Sequence, residues 1–78
     1  MSSAAERLQH WLDTGYAYSQ LNTGNVEELA KIVRNRCAAD QELMQCAKEK
    51  LGSYSPAILK RDHISRVHKE FLERVLTQ

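Results

Sequence analysis

The stretch SPAILKRDHISRVHKEFLERVLT, residues 55–77, decides the fold. It opens on Ser55-Pro56, a helix start: the serine oxygen caps free backbone N–H groups, and proline suits the first helical position, where its missing N–H costs nothing. Ile64, Val67, His68, Phe71, Leu72 and Val75 then share one side of a helix, flanked by Ile58 and Leu76. The preferred reading is one helix from Pro56 to about Thr77, ~33 Å long at 1.5 Å per residue. The alternative is a break near Asp62, with Lys60 and Arg61 ending a short helix where cations suit its dipole and Asp62 capping the next. A stripe this long must be covered by other helices.

Three such helices precede it. Ser3 and Glu6 form a capping box for a helix from Ala4 to about Thr14, whose Ala4, Ala5, Leu8, Trp11 and Leu12 face one way. Gly15 is read as the left-handed residue that closes it. Asn25 and Glu28 cap a second helix with Val26, Leu29, Ala30, Val33 and Cys37 on its apolar face and Ile32 well off it. Asp40 caps a third, carrying Leu43, Met44, Cys46, Ala47 and Leu51, which Gly52 ends. Residues 16–24 read as a short helical turn or an ordered loop, a strand being the weaker option. The echo between Leu12-Asp13-Thr14-Gly15 and Leu21-Asn22-Thr23-Gly24 reads as two similar helix stops.

These segments predict a single all-α domain over residues 1–78, a small bundle of four to five helices with a long C-terminal helix. Its expected core is Leu8, Trp11, Leu12, Leu29, Val33, Leu43, Ala47, Leu51, Ile64, Val67, Phe71 and Val75. The composition agrees: 42% hydrophobic and 27% charged residues argue against disorder, and three Gly with one Pro leave too few turns for a β-sandwich. No apolar run is long enough for a membrane span, and the N-terminal residues lack the apolar core of a signal peptide. Two Cys are too few for a disulfide scaffold, so the expectation is an intracellular, reducing compartment, cytoplasmic or nuclear, with no membrane partner.

Chemical motifs are sparse. Asp13-Thr14-Gly15 matches the aspartic-protease triplet, but that chemistry needs two such loops on buried strands, whereas this one follows a capped helix. Cys37 and Cys46 lie on successive helices at apolar positions and read as small hydrophobes. A zinc site would need four closely spaced ligands, and His63 and His68 stand ~140° apart around a helix. His68 reads as a core-edge imidazole satisfied by a backbone carbonyl, His10 and His63 as exposed. No phosphate-binding loop, nucleophile elbow or informative carboxylate pair occurs. The expectation is a protein that is not an enzyme and uses no cofactor or metal.

Function is then expected from surfaces. Apolar residues in excess of a tidy core suggest a non-catalytic interaction module: an adaptor, regulator or small subunit whose partner is another protein or a second copy of itself. The candidate partner-binding residues are Tyr16, Tyr18, Ile32, Leu59, Leu72 and Leu76. The rival is a DNA- or RNA-binding regulator using Arg34, Arg36, Lys60, Arg61, Arg66 and Lys69. Its motivation is charge asymmetry: residues 1–30 carry four acids and one base, residues 31–78 ten bases and six acids. A net charge of +1 opposes it, as do the opposite-sign i,i+4 pairs Asp62–Arg66, Arg66–Glu70, Lys69–Glu73 and Glu70–Arg74. Helices 26–38 and 41–51 could form a helix-turn-helix, but Ala38-Ala39-Asp40 lacks the turn glycine and Glu42 and Glu49 sit on the second helix. A third reading is redox sensing through Cys37 and Cys46.

Two segments resemble the small helical subunit of the enhancer-of-yellow type, shared by a coactivator deubiquitinating module and the nuclear-pore mRNA export complex. Leu8-x-x-Trp11-Leu12-x-Thr14-Gly15 is similar to that family's first helix. Pro56 to Val75, especially Glu70-Phe71-Leu72-Glu73-x-Val75, is similar to its last. The likeness covers under half of the chain, and the insert at 16–24 and a one-residue offset before Phe71 depart from the pattern, so no assignment is made on it. It implies a non-enzymatic helical subunit gripping a partner's helix.

Overall fold

In the computed structural model, which describes residues 3–21 and 24–77, five helices follow one another: α1 (Ala4–Ser19), α2 (Val26–Ala39), α3 (Gln41–Leu51), α4 (Pro56–Arg61) and α5 (His63–Leu76). No strand occurs among the described residues. Each start is set by a side chain that accepts from backbone N–H groups left open by the first turn: Ser3 from Glu6, Asn25 from Glu28, Asp40 from Glu42 and Leu43, Ser55 from Ile58, and Asp62 from Ile64. The Ser3–Glu6 box is reciprocal.

One cluster forms the core: Leu8 and Leu12 of α1, Leu29, Ala30, Val33 and Cys37 of α2, Leu43 and Ala47 of α3, and Phe71, Leu72 and Val75 of α5. Trp11, Leu51 and Leu76 border it, half-buried. Helices α1, α2, α3 and α5 all touch one another, whereas α4 rests on α5 alone and buries nothing. The expected all-α bundle is therefore present, with four helices around the core and a fifth outside it.

Two boundaries differ from the sequence reading. Gly15 does not close α1. It lies inside a helix that runs one further turn to Ser19 and is buried against the Phe71 ring; a Cβ there would stand 2.8 Å from Phe71 Cγ. The glycine is used for close approach of α1 to α5 rather than for a left-handed turn. Tyr16 and Tyr18 are accordingly helical, and the Asp13-Thr14-Gly15 triplet is mid-helix, far from a protease loop. The second proposed stop, Leu21–Gly24, falls partly on residues 22 and 23, outside the described residues.

The second difference is the last helix, which is not continuous. Asp62 adopts an extended conformation (φ −118°, ψ 102°), and its N–H still reaches Ile58 O at 2.8 Å. Its carboxylate accepts from Ile64 N–H at 3.1 Å and from the Ser65 hydroxyl at 2.8 Å, while Arg66 donates to Leu59 O at 2.7 Å. These bonds satisfy much of both helix ends locally, which lowers the cost of the break. The C-terminal helix is thus 14 residues long, shorter than the 16 of α1.

The break changes which residues are inside. His68, Phe71, Leu72 and Val75 form a seam at i, i+3, i+4 and i+7, and all are buried. Leu72, expected at a partner surface, is 0% exposed. Ile64, expected in the core, is 47% exposed, because the first turn of α5 overhangs the cluster that its later turns complete. Beyond the seam, Arg34 of α2 donates to the carbonyls of Arg74 (2.6 Å), Val75 (3.0 Å) and Thr77 (3.0 Å), and Arg74 pairs with Glu27. Arg34 is a cap for the end of α5.

Gly15→Ala gains helix propensity of up to ~1 kcal/mol but drives a methyl into a buried ring, so a net destabilisation of about 1–2 kcal/mol is expected, read as a lower thermal midpoint. An unchanged or raised midpoint would remove the close-approach argument. Arg34→Ala should cost about 1–2 kcal/mol through loss of the carbonyl cap, and Arg34→Lys should recover little of it, since one ammonium cannot reproduce the guanidinium fork. Urea titration of the three proteins checks this.

Candidate functional site

The turn at Asp62 carries two uncovered isoleucines, one on each side: Ile58 of α4 is 42% exposed and Ile64 of α5 is 47% exposed. Leu59 between them is half-buried, and Lys60 and Arg61 are exposed. Tyr16 reaches the same corner from α1, its ring edge-on to His63 and to His68 at centroid distances of 6.2 Å each. The corner therefore combines apolar side chains, two cations and the aromatic edge of a second helix.

Its electrostatics are uneven. Bonding to Ser65 and to backbone N–H groups holds the Asp62 carboxyl below its usual range, so the acid is ionised and already engaged by its own cap. Arg66 is turned to the carbonyls that end α4, and Lys69 pairs with Glu73 at 3.1 Å. Lys60 and Arg61 make no ion pair or side-chain hydrogen bond among the described residues.

Below the corner lies a buried polar group. His68 is 8% exposed, and its Nε2 has no hydrogen-bond partner. The expected backbone carbonyl is not there. Asp13 of α1 approaches to 3.8 Å, beyond hydrogen-bond length. Burial pushes the imidazole's pKa down; Asp13 opposes that, Lys50 of α3 adds to it, and Asp62 opposes it. These groups meet as ring edges and a distant carboxylate, with no donor–acceptor line that would move a proton. No group of three or more His, Cys, Asp or Glu that could hold a metal occurs among the described residues.

A concavity of about 740 Å³ lies elsewhere, between α1 and the α2–α3 turn. Trp11 and Leu43 line it, and the Arg7–Asp40 pair at 2.8 Å lies along it. Acids and bases alternate here (Glu6, Arg7, Arg36, Asp40), so it presents no charge preference. Backbone bonds from α3, foremost from Leu43, hold Asp40 below its ordinary pKa, which keeps it ionised as a cap.

Of the residues expected to bind a partner, the structure brings Tyr16 and Leu59 to the corner. Tyr18 is exposed near the end of α1, Ile32 is 48% exposed alone on α2, Leu76 is half-buried, and Leu72 is inside. Of the residues expected to meet nucleic acid, Arg34, Arg66 and Lys69 are occupied within the chain, leaving Arg36, Lys60 and Arg61. The i,i+4 pairing expected on α5 reduces to Lys69–Glu73, with Arg74 reaching Glu27 of α2 instead. Cys37 and Cys46 are free thiols, and burial raises the pKa of Cys37, which disfavours the reactive thiolate. Ile58 and Ile64 were missed as surface residues; the Asp62–Ser65 spacing was the signal for the break that exposes them.

No helix among the described residues is long and apolar enough to cross a membrane. Compared with protein-family models, curated proteins and solved structures, the chain matches none.

Because His68 is held neutral in the folded chain, the unfolded chain takes up the proton first. Stability should be full above neutral pH and fall as pH drops through the ordinary histidine value of ~6.5, levelling below the depressed folded value. Thermal midpoints of wild type and His68→Leu between about pH 7 and pH 5 test this. The variant's curve should be flatter, and parallel curves would exclude His68 as the source.

Proposed function

We infer that the protein is a non-catalytic interaction module, an adaptor, regulator or small subunit that binds another protein through the Asp62 corner. The observation that carries the reading is the pair of exposed isoleucines flanking that turn, Ile58 on a helix that has no buried residue and rests on α5 alone, and Ile64 at the start of α5. A six-residue helix contributing no core residue adds little to stability, since isolated helices this short are marginal in water. Its persistence as a local element, tied by Ser55, Asp62 and Arg66, favours a role at the surface.

Covering an isoleucine gains roughly 1.5–3 kcal/mol when the side chain becomes fully buried, so two at one turn can anchor an interface. Tyr16 adds an aromatic edge against His63 of the same turn. The binding residues under this reading are Tyr16, Ile58, Leu59 and Ile64.

Immobilised wild-type protein should retain proteins from a lysate of its source cells that Ile58→Ser/Ile64→Ser does not. The control Ile32→Ser, equally exposed but remote in sequence from the corner, should retain them. Circular dichroism of all three should match, because the altered side chains lie outside the core. The same retained set for wild type and the double variant, or none for either, would refute the reading.

A further inference from the structure

The chemistry of the partner follows from the charges and the backbone at the corner, and rests on the reading above. From Pro56 to Lys69 the chain carries four Lys or Arg and a single acid, Asp62. That acid is engaged by the Ile64 N–H and the Ser65 hydroxyl; Arg66 and Lys69 are engaged by carbonyls and by Glu73. What is left exposed is two cations, Lys60 and Arg61, in the same turn region as the exposed Ile58 and Ile64. The other exposed large apolar residues differ: Ile32 is a single apolar side chain with one unpaired cation, Arg36, four residues on, its neighbour Lys31 being paired with Glu28, and Tyr18 and Leu21 have no cation near them in sequence.

The backbone narrows the partner's form. With no strand among the described residues there is no sheet edge to extend, and the ends of α4 and the start of α5 are already capped. An extended peptide would find no main-chain partners here. A helical one brings its own backbone bonds and needs only side-chain contacts.

We propose that the Asp62 corner docks an amphipathic helix of another protein, its apolar stripe covering Ile58 and Ile64 and its flanking carboxylates meeting Lys60 and Arg61. Acidic flanks would steer the approach and fix the orientation, while the isoleucines supply the contact that resists salt. Two cations beside two greasy side chains suit a carboxylate-bearing helix better than a phosphate backbone, which rewards many cations and gains nothing from isoleucine.

The test uses the full chain and a labelled helical peptide with Leu at i, i+3, i+4 and i+7 and Glu on both flanks, alongside a version with Lys for Glu, followed by fluorescence anisotropy. The Glu peptide should bind, and the Lys peptide should bind at least about tenfold more weakly. Ile58→Ser/Ile64→Ser should weaken the Glu peptide by about tenfold or more, and Lys60→Glu/Arg61→Glu should reverse the preference between the two peptides. No binding of the Glu peptide, equal binding of both peptides, or binding indifferent to the isoleucines overturns the proposal. So does salt-sensitive capture of random duplex in place of the peptide, or self-association by light scattering that the isoleucine variant abolishes, since each names another occupant. If the lysate proteins are lost with the isoleucine variant but the Glu peptide does not compete for them, this partner chemistry fails and the interaction reading stands; if they are retained by the variant, the reading itself fails.

Discussion

The close approach of α1 to α5 at Gly15 and Phe71 is the constraint on which the rest of the bundle depends. With no side chain at Gly15, the Phe71 ring lies against the helix backbone, and both are buried. Burial of a large ring here contributes more than any single cap, and it also fixes the depth at which α5 sits. That depth places Leu72 and Val75 in one core with Val33 and Leu12, and it draws the end of α5 to where Arg34 can cap it. A larger residue at position 15 would lift α5, and Arg34 and the Glu27–Arg74 pair would lose their register together.

The same docking explains the corner. Once α5 is committed to its seam from His68 to Val75, the chain before it either continues as one rigid helix or turns. Asp62 resolves this in favour of turning, because its carboxylate replaces two helix bonds with an N-cap and a serine contact, and Arg66 closes the helix behind it. Asp is a poor residue for a helix interior and a good one for a cap, so propensity and tertiary placement agree. The cost appears in the second turn of α5: His68 is carried into the interior with Nε2 unpartnered, an arrangement that typically costs about 1–3 kcal/mol and that a core chosen for stability alone would not contain.

Four helix starts were legible in the sequence, as were the ends of α3 at Gly52 and of α5 near Thr77, whereas the end of α1 and the break at Asp62 were not. Ser3, Asn25, Asp40 and Ser55 were read as caps and all four are, because an N-cap is a local side-chain bond that needs no knowledge of the rest of the fold. Gly15 shows why ends are harder. A glycine that permits a left-handed turn and a glycine that permits a ring to lie on the backbone look the same in a string of letters, and only the position of Phe71, 56 residues on, separates them. Leu72 and Ile64 were exchanged between surface and core for a related reason. Their periodicity is identical whether the helix starts at Pro56 or His63; what differs is which turns have a neighbour above them. Tyr16 and Leu59 were legible as surplus apolar residues, but that they lie at one turn depends on the break.

Cations illustrate the difference between composition and availability. The excess of bases after residue 30 suggests a face for polyanions, yet much of it is consumed inside the chain. Arg34 holds three carbonyls, Arg66 two, Arg74 holds Glu27, and Lys69 holds Glu73. Guanidinium groups favour such roles because their fork can span several acceptors at a helix end. A cation serving as a cap can turn to a ligand only by giving up bonds that hold the bundle, so its charge is felt at a distance while its hydrogen bonds are not on offer. Lys60 and Arg61 differ in that they complete the C-terminal dipole of a helix with no buried residue, and among the described residues neither takes part in an ion pair or side-chain hydrogen bond that holds the core. The exposed charge at the Asp62 corner is thereby separated from the contacts that hold the bundle together.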